Sequence, residues 1–159
     1  MTSRALSVEA LAAHPQHLPT VAQWIYRQWW SEVPGASVAT LEAMLREGLT
    51  QAPMPLTLVA TSEQQALGTV TLLAHDVGTE RFVPMSPWLA ALYVIPAARR
   101  RGIGAALIEA ALARAAEFAA GSIYLLTTDQ EAYYQRLGWK ILTRSEDAVV
   151  MARALARAP

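Results

Sequence analysis

The stretch WLAALYVIPAARRRGIGAALIEAAL, residues 88–112, constrains the fold more than any other part of the chain. Trp88 to Ile95 is continuously apolar, the pattern of a strand buried on both faces near the middle of a sheet. The six-residue connection PAARRR follows. An alanine-rich segment then begins at Gly102 and runs to about Ala119 with helical periodicity. A strand of that kind needs cover on both faces, and the helix behind it supplies part of the cover.

The flanking segments supply the other layers. ALSVEAL reads as a short first strand, and Pro19 stands where a helix can begin, with Val21, Trp24, Ile25 and Trp29 on one face. PGAS ends that helix at Pro34–Ser37, and Ser37 caps a second one carrying Leu41, Met44, Leu45 and Leu49, which QAPMP stops. LTLVAT, the polar turn SEQQ and ALGTVTLLAH form an antiparallel hairpin, separated by DVGTERFVPMSP from the strand that begins at Trp88. After the long helix come the strand SIYLLTT, a short helix from about Asp129 to Leu137, and two strands near WKILT and AVVMARA. The expected order is β-α-α-β-β-β-α-β-α-β-β: an α/β (α+β) chain with a mixed, mostly antiparallel sheet of six to seven strands and about four helices. That is neither a doubly wound alternation nor a helical bundle.

With 159 residues and no break in composition, residues 1–159 fit one domain. The formal net charge is zero, so the global balance draws the chain toward neither nucleic acid nor an anionic membrane. There is no cysteine, which excludes thiolate metal sites and a covalent acyl-cysteine step. The start, MTSRALSVEALAAHPQ, has Glu9 inside its only candidate apolar run, and no stretch has the length to span a bilayer. The expectation is a cytoplasmic protein, monomeric or homodimeric.

Several readings compete for Arg99–Gly104. A dinucleotide-binding turn follows its strand tightly and needs a third glycine where Leu107 stands. A P-loop needs Lys-Ser or Lys-Thr where Ala105-Ala106 stands. Nucleic-acid binding usually spreads basic groups along a face, whereas this cluster is one spot on a neutral protein. Two readings remain: three arginines solvating a loop whose glycines cap a helix, or an anion site at a helix N-terminus, with free N–H groups and glycines that open the approach.

At these residues the sequence resembles the GCN5-related N-acetyltransferases. Arg99-Arg100-Arg101-Gly102-Ile103-Gly104 matches that family's Arg/Gln-x-x-Gly-x-Gly/Ala signature, and LYVIP matches the strand leading into it. YYQRLGWK is similar to a second family segment, Phe/Leu-Tyr-x-x-x-Gly-Phe, with Trp139 replacing the usual Phe or Tyr. The order of elements fits over nearly the whole chain. YLLTTDQEAYYQRLGW further resembles the members that acetylate the N-terminus of actin, but that run lies in the cofactor half and carries no substrate with it. The resemblance implies a GNAT-like acyl-CoA N-acyltransferase fold, acetyl-CoA as cofactor with CoA as product, and direct transfer to a primary amine in a ternary complex. A non-catalytic acyl-CoA-binding module on the same fold is the alternative.

Carried over by position, the resemblance places Leu92, Tyr93 and Val94 along the pantetheine arm. It places Arg99, Arg100, Arg101, Gly102, Ile103, Gly104 and Ala105 around the pyrophosphate, with Thr127 completing the cofactor set. It implies a backbone N–H of the fourth strand, at Val94 or a neighbour, as donor to the developing oxyanion. Tyr134 is implied as the acid that protonates the leaving thiolate. Local physics agrees: Thr128 and Glu131 make a capping box, Gly138 stops the helix, Tyr133 and Leu137 face the core, and Tyr134 points about 100° away. The base is open among His75, Asp76, Glu80, Glu32 and a water chain, and histidine is the residue whose ordinary ionisation suits it. By family analogy the acceptor, a small-molecule amine or a peptide N-terminus, lies between the first two helices and the sheet. There Tyr26 and Trp30 form an i, i+4 pair that lines the pocket or packs on a neighbour, with Glu32 beside them.

Overall fold

The computed structural model of the protein describes residues 5–76, 79–82, 84–119 and 121–156. Its elements are β1 (Ser7–Ala10), α1 (Leu18–Ile25) continued by a π-helical turn (Tyr26–Trp30), α2 (Val38–Gly48), β2 (Leu56–Ser62), β3 (Gln65–Leu73) and β4 (Trp88–Val94). They continue with α3 (Ile103–Ala116), β5 (Ser122–Thr127), α4 (Glu131–Arg136), β6 (Lys140–Arg144) and β7 (Val149–Ala154). The order is the one the periodicities predict. One seven-stranded sheet runs β1-β2-β3-β4-β5-β7-β6, antiparallel throughout except where β4 meets β5.

Each face has its own apolar layer. Leu58, Val70, Leu72 and Leu89 pack with Ile103, Leu107, Ile108 and Ala111 of α3, and Ile123, Leu125 and Met151 extend this core under α4. On the opposite face Val59 packs with Val21 and Ile25 of α1 and Leu41 of α2. The alternation along β2 explains the division, since odd and even residues of a strand point to opposite sides. Among the described residues, no helix is long and apolar enough to cross a membrane.

Local signals act as expected at several junctions. The Ser37 hydroxyl accepts the Thr40 N–H at 3.1 Å and starts α2. Glu63 and Gln64 both have positive φ, 50° and 68°, giving the β2–β3 hairpin the two-residue turn whose twist suits antiparallel strands. α4 ends in a Schellman motif: Trp139 N–H donates to Tyr134 O at 3.0 Å and Gly138 N–H to Gln135 O at 3.1 Å, with Gly138 at φ 91°. The accompanying apolar contact joins Tyr134 and Trp139, whose ring centroids are 6.0 Å apart.

Four expectations are corrected. Trp29 does not join the core stripe of the first helix: it is 44% exposed, because the π turn after Ile25 rotates the following residues and carries half-buried Trp30 inward. α3 ends at Ala116, short of Ala119. The Thr128–Glu131 capping box does not form. α4 begins only at Glu131, Thr127 Oγ1 accepts the Gln130 N–H at 3.0 Å, and the Glu131 carboxylate binds Arg144 through two contacts of 2.5 and 2.9 Å. Lastly, β4 is central but is buried only at its start, with Ala90 to Val94 half-buried.

Candidate active site

The partial burial of β4 follows from how it meets β5. The two strands are parallel neighbours, yet their ladder contains only Trp88 opposite Tyr124. Trp88 locks this end: it is fully buried, stacks near Phe82 and Tyr124 at 6.2 and 5.6 Å, and donates its indole N–H to Met85 O at 2.7 Å. Beyond it the strands diverge, and their C-terminal ends form the walls of a cavity of about 1170 Å³. A β-bulge sharpens the divergence. Between the pairs Thr71–Ala90 and Thr69–Tyr93, Ala91 and Leu92 together oppose Val70, and Ala91 takes φ 54°.

The backbone past the bulge has a defined direction. Ile95 N–H donates to Leu67 O at 2.9 Å, toward β3. Neighbouring residues of an antiparallel strand direct their N–H groups to opposite sides, so Val94 N–H faces the side from which β5 has departed. Val94 O lies on that side as well, and there it accepts the Arg99 Nε–H at 2.9 Å. The Arg99 guanidinium also stands 5.6 Å from the centroid of Tyr93, whose ring contacts Trp24 of α1 at 5.5 Å. Arg99 therefore clasps the end of β4 to the loop that follows it.

That loop turns through Arg100 at φ 63° and Gly102 at φ 78° before α3 begins. Gly102 is required for its backbone conformation, since a Cβ there would meet nothing within 4 Å. The first α3 hydrogen bond runs from Ala106 N–H to Gly102 O, so the N–H groups of Ile103, Gly104 and Ala105 have no intrahelical acceptor. No side chain caps them, the first turn carries no acid, and all three residues line the cavity. These donors suit an anion at the mouth of the gap. Gly104 differs from the expectation that both glycines open an approach: a Cβ there would lie 2.6 Å from the Tyr133 hydroxyl, so its space is taken by that phenol.

Tyr133 and Tyr134 of α4 meet edge to face at 5.3 Å, and both line the cavity from the side opposite β4. Burial, seconded by Tyr133 and Asp129, pushes the Tyr134 phenol far above the ordinary tyrosine range, so it keeps its proton. Burial also raises Tyr133.

The fold brings most of the sequence-predicted residues to one place. Leu92, Tyr93, Val94 and Thr127 line the cavity, together with Arg99, Arg100, Gly102, Ile103, Gly104 and Ala105. So do Tyr134, His75, Asp76 and Trp30. Arg101, Glu32, Glu80 and Tyr26 do not, and Tyr26 packs instead on the α1–α2 core. Sequence reasoning missed Ala91, Trp29, Tyr133 and the buried pair Thr57–Thr71, whose hydroxyls are 3.1 Å apart. Alternate threonines in otherwise apolar strands were a usable signal for the pair. Nothing in the composition of LAALY marks Ala91 as a bulge.

The sequence model of the Acetyltransferase (GNAT) domain matches residues 55–141, more than half of the chain. Among curated proteins none matches by sequence. Among solved structures, aminoglycoside 6'-acetyltransferase type Ii is similar with a TM-score of 0.72 at 18% identity, covering 96% of this chain and 99% of that one. An aminoglycoside 6'-N-acetyltransferase complexed with coenzyme A has a TM-score of 0.71 at 17% identity, covering 96% and 99%. Ard1 from Thermoplasma volcanium has a TM-score of 0.65 at 20% identity, again covering 96% and 99%. At these identities the likeness is one of fold. The matched segment contains the hairpin, the parted strands, the arginine–glycine loop and the tyrosine helix, and by it the chain belongs to the GNAT family of acetyltransferases, whose acyl donor is acetyl-CoA.

Proposed function

We propose that this protein is an N-acetyltransferase that moves an acetyl group from acetyl-CoA directly to a primary amine. The observation that carries the reading is the single cavity lined at once by the end of β4, the open first turn of α3 and the protonated Tyr134. The residues fit the cofactor. The N–H groups of Ile103, Gly104 and Ala105, with Arg100 beside them, suit its pyrophosphate, and the edge of Leu92–Val94 suits the amide groups of its arm. When bound, acetyl-CoA supplies an activated acyl thioester.

The chain's own groups then divide the work. Val94 N–H faces the gap and donates to an acyl oxygen as negative charge grows on it. Tyr134 delivers the proton that a departing thiolate needs and regains one from the nitrogen, which sheds its second proton as the amide forms. His75 lines the same cavity but lies past Leu73, whose strand partner is Trp88, so a proton leaving an ammonium near Val94 reaches it through a chain of waters. With no cysteine available, the acyl group has no thiol of the protein on which to pause.

Thermal melting tests the reading. Acetyl-CoA at about 100 times its dissociation constant should stabilise the protein by roughly 2.7 kcal/mol, and a panel of primary amines should then release free CoA. Absence of any shift with acetyl-CoA or CoA removes the proposal. A shift without CoA release from any amine identifies a binding module instead. Gly102→Ala should weaken the acetyl-CoA shift, because a left-handed alanine costs about 1–2 kcal/mol and would pull the loop out of place.

A further inference from the structure

The transfer step uses Tyr134 and leaves the hydroxyl of neighbouring Tyr133 without a task, although its position is closely defined. That hydroxyl lies 2.6 Å from the point where a Cβ on Gly104 would stand, and the ring carbon that bears it lies 3.7 Å from the same point. Gly104 is the second residue of α3. In a helix each Cα–Cβ bond tilts toward the N-terminus, so an oxygen in place of that Cβ stands at the N-terminal rim of α3. The N–H groups of Ile103, Gly104 and Ala105 point toward the same rim, and all three residues line the cavity together with Tyr133. Among the described residues, the Tyr133 hydroxyl has no hydrogen-bond partner and no side chain caps the three N–H groups.

The ring is held in place by its packing against the α3 side of the sheet core and by the edge-to-face contact with Tyr134 at 5.3 Å. The oxygen is therefore carried to the rim of α3 by a second helix. Burial raises the phenol above the ordinary tyrosine range, so it keeps a proton to donate. A hydrogen bond from such a donor to an anion is stronger than one between neutral groups. The hydroxyl belongs to this chain, since the family pattern carries Phe or Leu at the position of Tyr133 and accepts Gly or Ala at that of Gly104. We infer that the Tyr133 hydroxyl donates a fourth hydrogen bond to the pyrophosphate of acetyl-CoA, and that residue 104 is glycine to leave that hydroxyl its place. The inference rests on the cradle proposed for the pyrophosphate and on no particular acceptor.

Calorimetric titration with CoA, with dephospho-CoA, which lacks the 3′-phosphate, and with pantetheine as a competitor of CoA tests this without turnover. Tyr133→Phe keeps the ring and its contact with Tyr134. It should weaken CoA and dephospho-CoA alike by about tenfold, the loss of one hydrogen bond to a charged group. Pantetheine, which carries no phosphate, should bind the variant as it binds the parent. Gly104→Ala should weaken CoA to a similar extent, because the new methyl group displaces the hydroxyl. Added to Tyr133→Phe, the same substitution should cost no further affinity. With the oxygen gone, the nearest atoms to the methyl group are the ring carbon at 3.7 Å and Val94 Cγ2 at 3.9 Å, which are ordinary contact distances.

Unchanged CoA affinity in Tyr133→Phe overturns the inference and shows a phenol that only fills space. An equal loss for pantetheine also overturns it, by placing the contact on the arm of the cofactor, and a loss confined to CoA does so by placing it on the 3′-phosphate. A further loss when Gly104→Ala joins Tyr133→Phe overturns the pairing of the two residues, since the methyl group then obstructs something other than the hydroxyl. Each of these outcomes leaves the acetyltransferase reading standing, because the parent still binds CoA. A parent that binds no CoA removes both.

Discussion

Tyr134→Phe should bind acetyl-CoA as the parent protein does and lose most of its turnover, with kcat lower by about 10²–10⁴, the range of a positioned general acid. The substitution removes one oxygen and keeps the ring, so the edge-to-face contacts with Tyr133 and Trp139 and the Schellman end of α4 persist. The shift in melting temperature on adding acetyl-CoA should therefore be unchanged. The pH profile gives a second readout. Burial disfavours the phenolate, so the protonated form survives to higher pH than in an ordinary tyrosine, and kcat should not fall as pH passes about 10. Full activity in the variant would remove Tyr134 from the mechanism, whereas a fall in the parent near pH 10 would show its phenol titrating in the ordinary range.

Gly68→Ala should damage both the fold and the site. Gly68 pairs with Val94 across β3 and β4, and a Cβ on it would lie 2.7 Å from Tyr93 O, 3.1 Å from Leu107 Cδ1 and 3.3 Å from Val94 Cγ2. The first contact is to backbone, which gives way only if the end of β4 moves. Overpacking of this kind costs about 1–3 kcal/mol, a loss of roughly 2–12 °C in Tm for a domain of this size. The same movement displaces Val94 N–H and the Arg99 clasp, so acetyl-CoA affinity should fall as well. Unchanged melting and unchanged affinity would show that β4 has slack at this point and that its position is not what orients Val94.

These expectations differ in how much of each was legible before the fold was known. Ser37 as a cap, Gly138 as a stop and the hairpin at Glu63-Gln64 depend on groups a few residues apart, so the chain announces them locally. The order of strands and helices follows from periods of two and 3.6 in apolar residues, which need only the existence of a core. The capping box at Thr128 and Glu131 satisfied the same local rule and still failed. A guanidinium 13 residues away on β6 gives the Glu131 carboxylate two charge-assisted hydrogen bonds, a stronger offer than one backbone N–H. Trp29 failed for a related reason: packing of α1 inserts a π turn, and one extra residue per turn changes the face of everything after it.

By itself the sequence determined the sheet-and-helix order, the loop that frees the N–H groups of α3, and the tyrosine helix downstream. The tertiary structure alone decided that β4 parts from β5 after Trp88, that Ala91 bulges, and that Tyr133 fills the space beside Gly104. The physical reason is one of range. Caps, turns and periodicities concern neighbours in the chain, whereas the gap depends on where strands distant in sequence cease to pair and on which distant side chains compete for the room they leave.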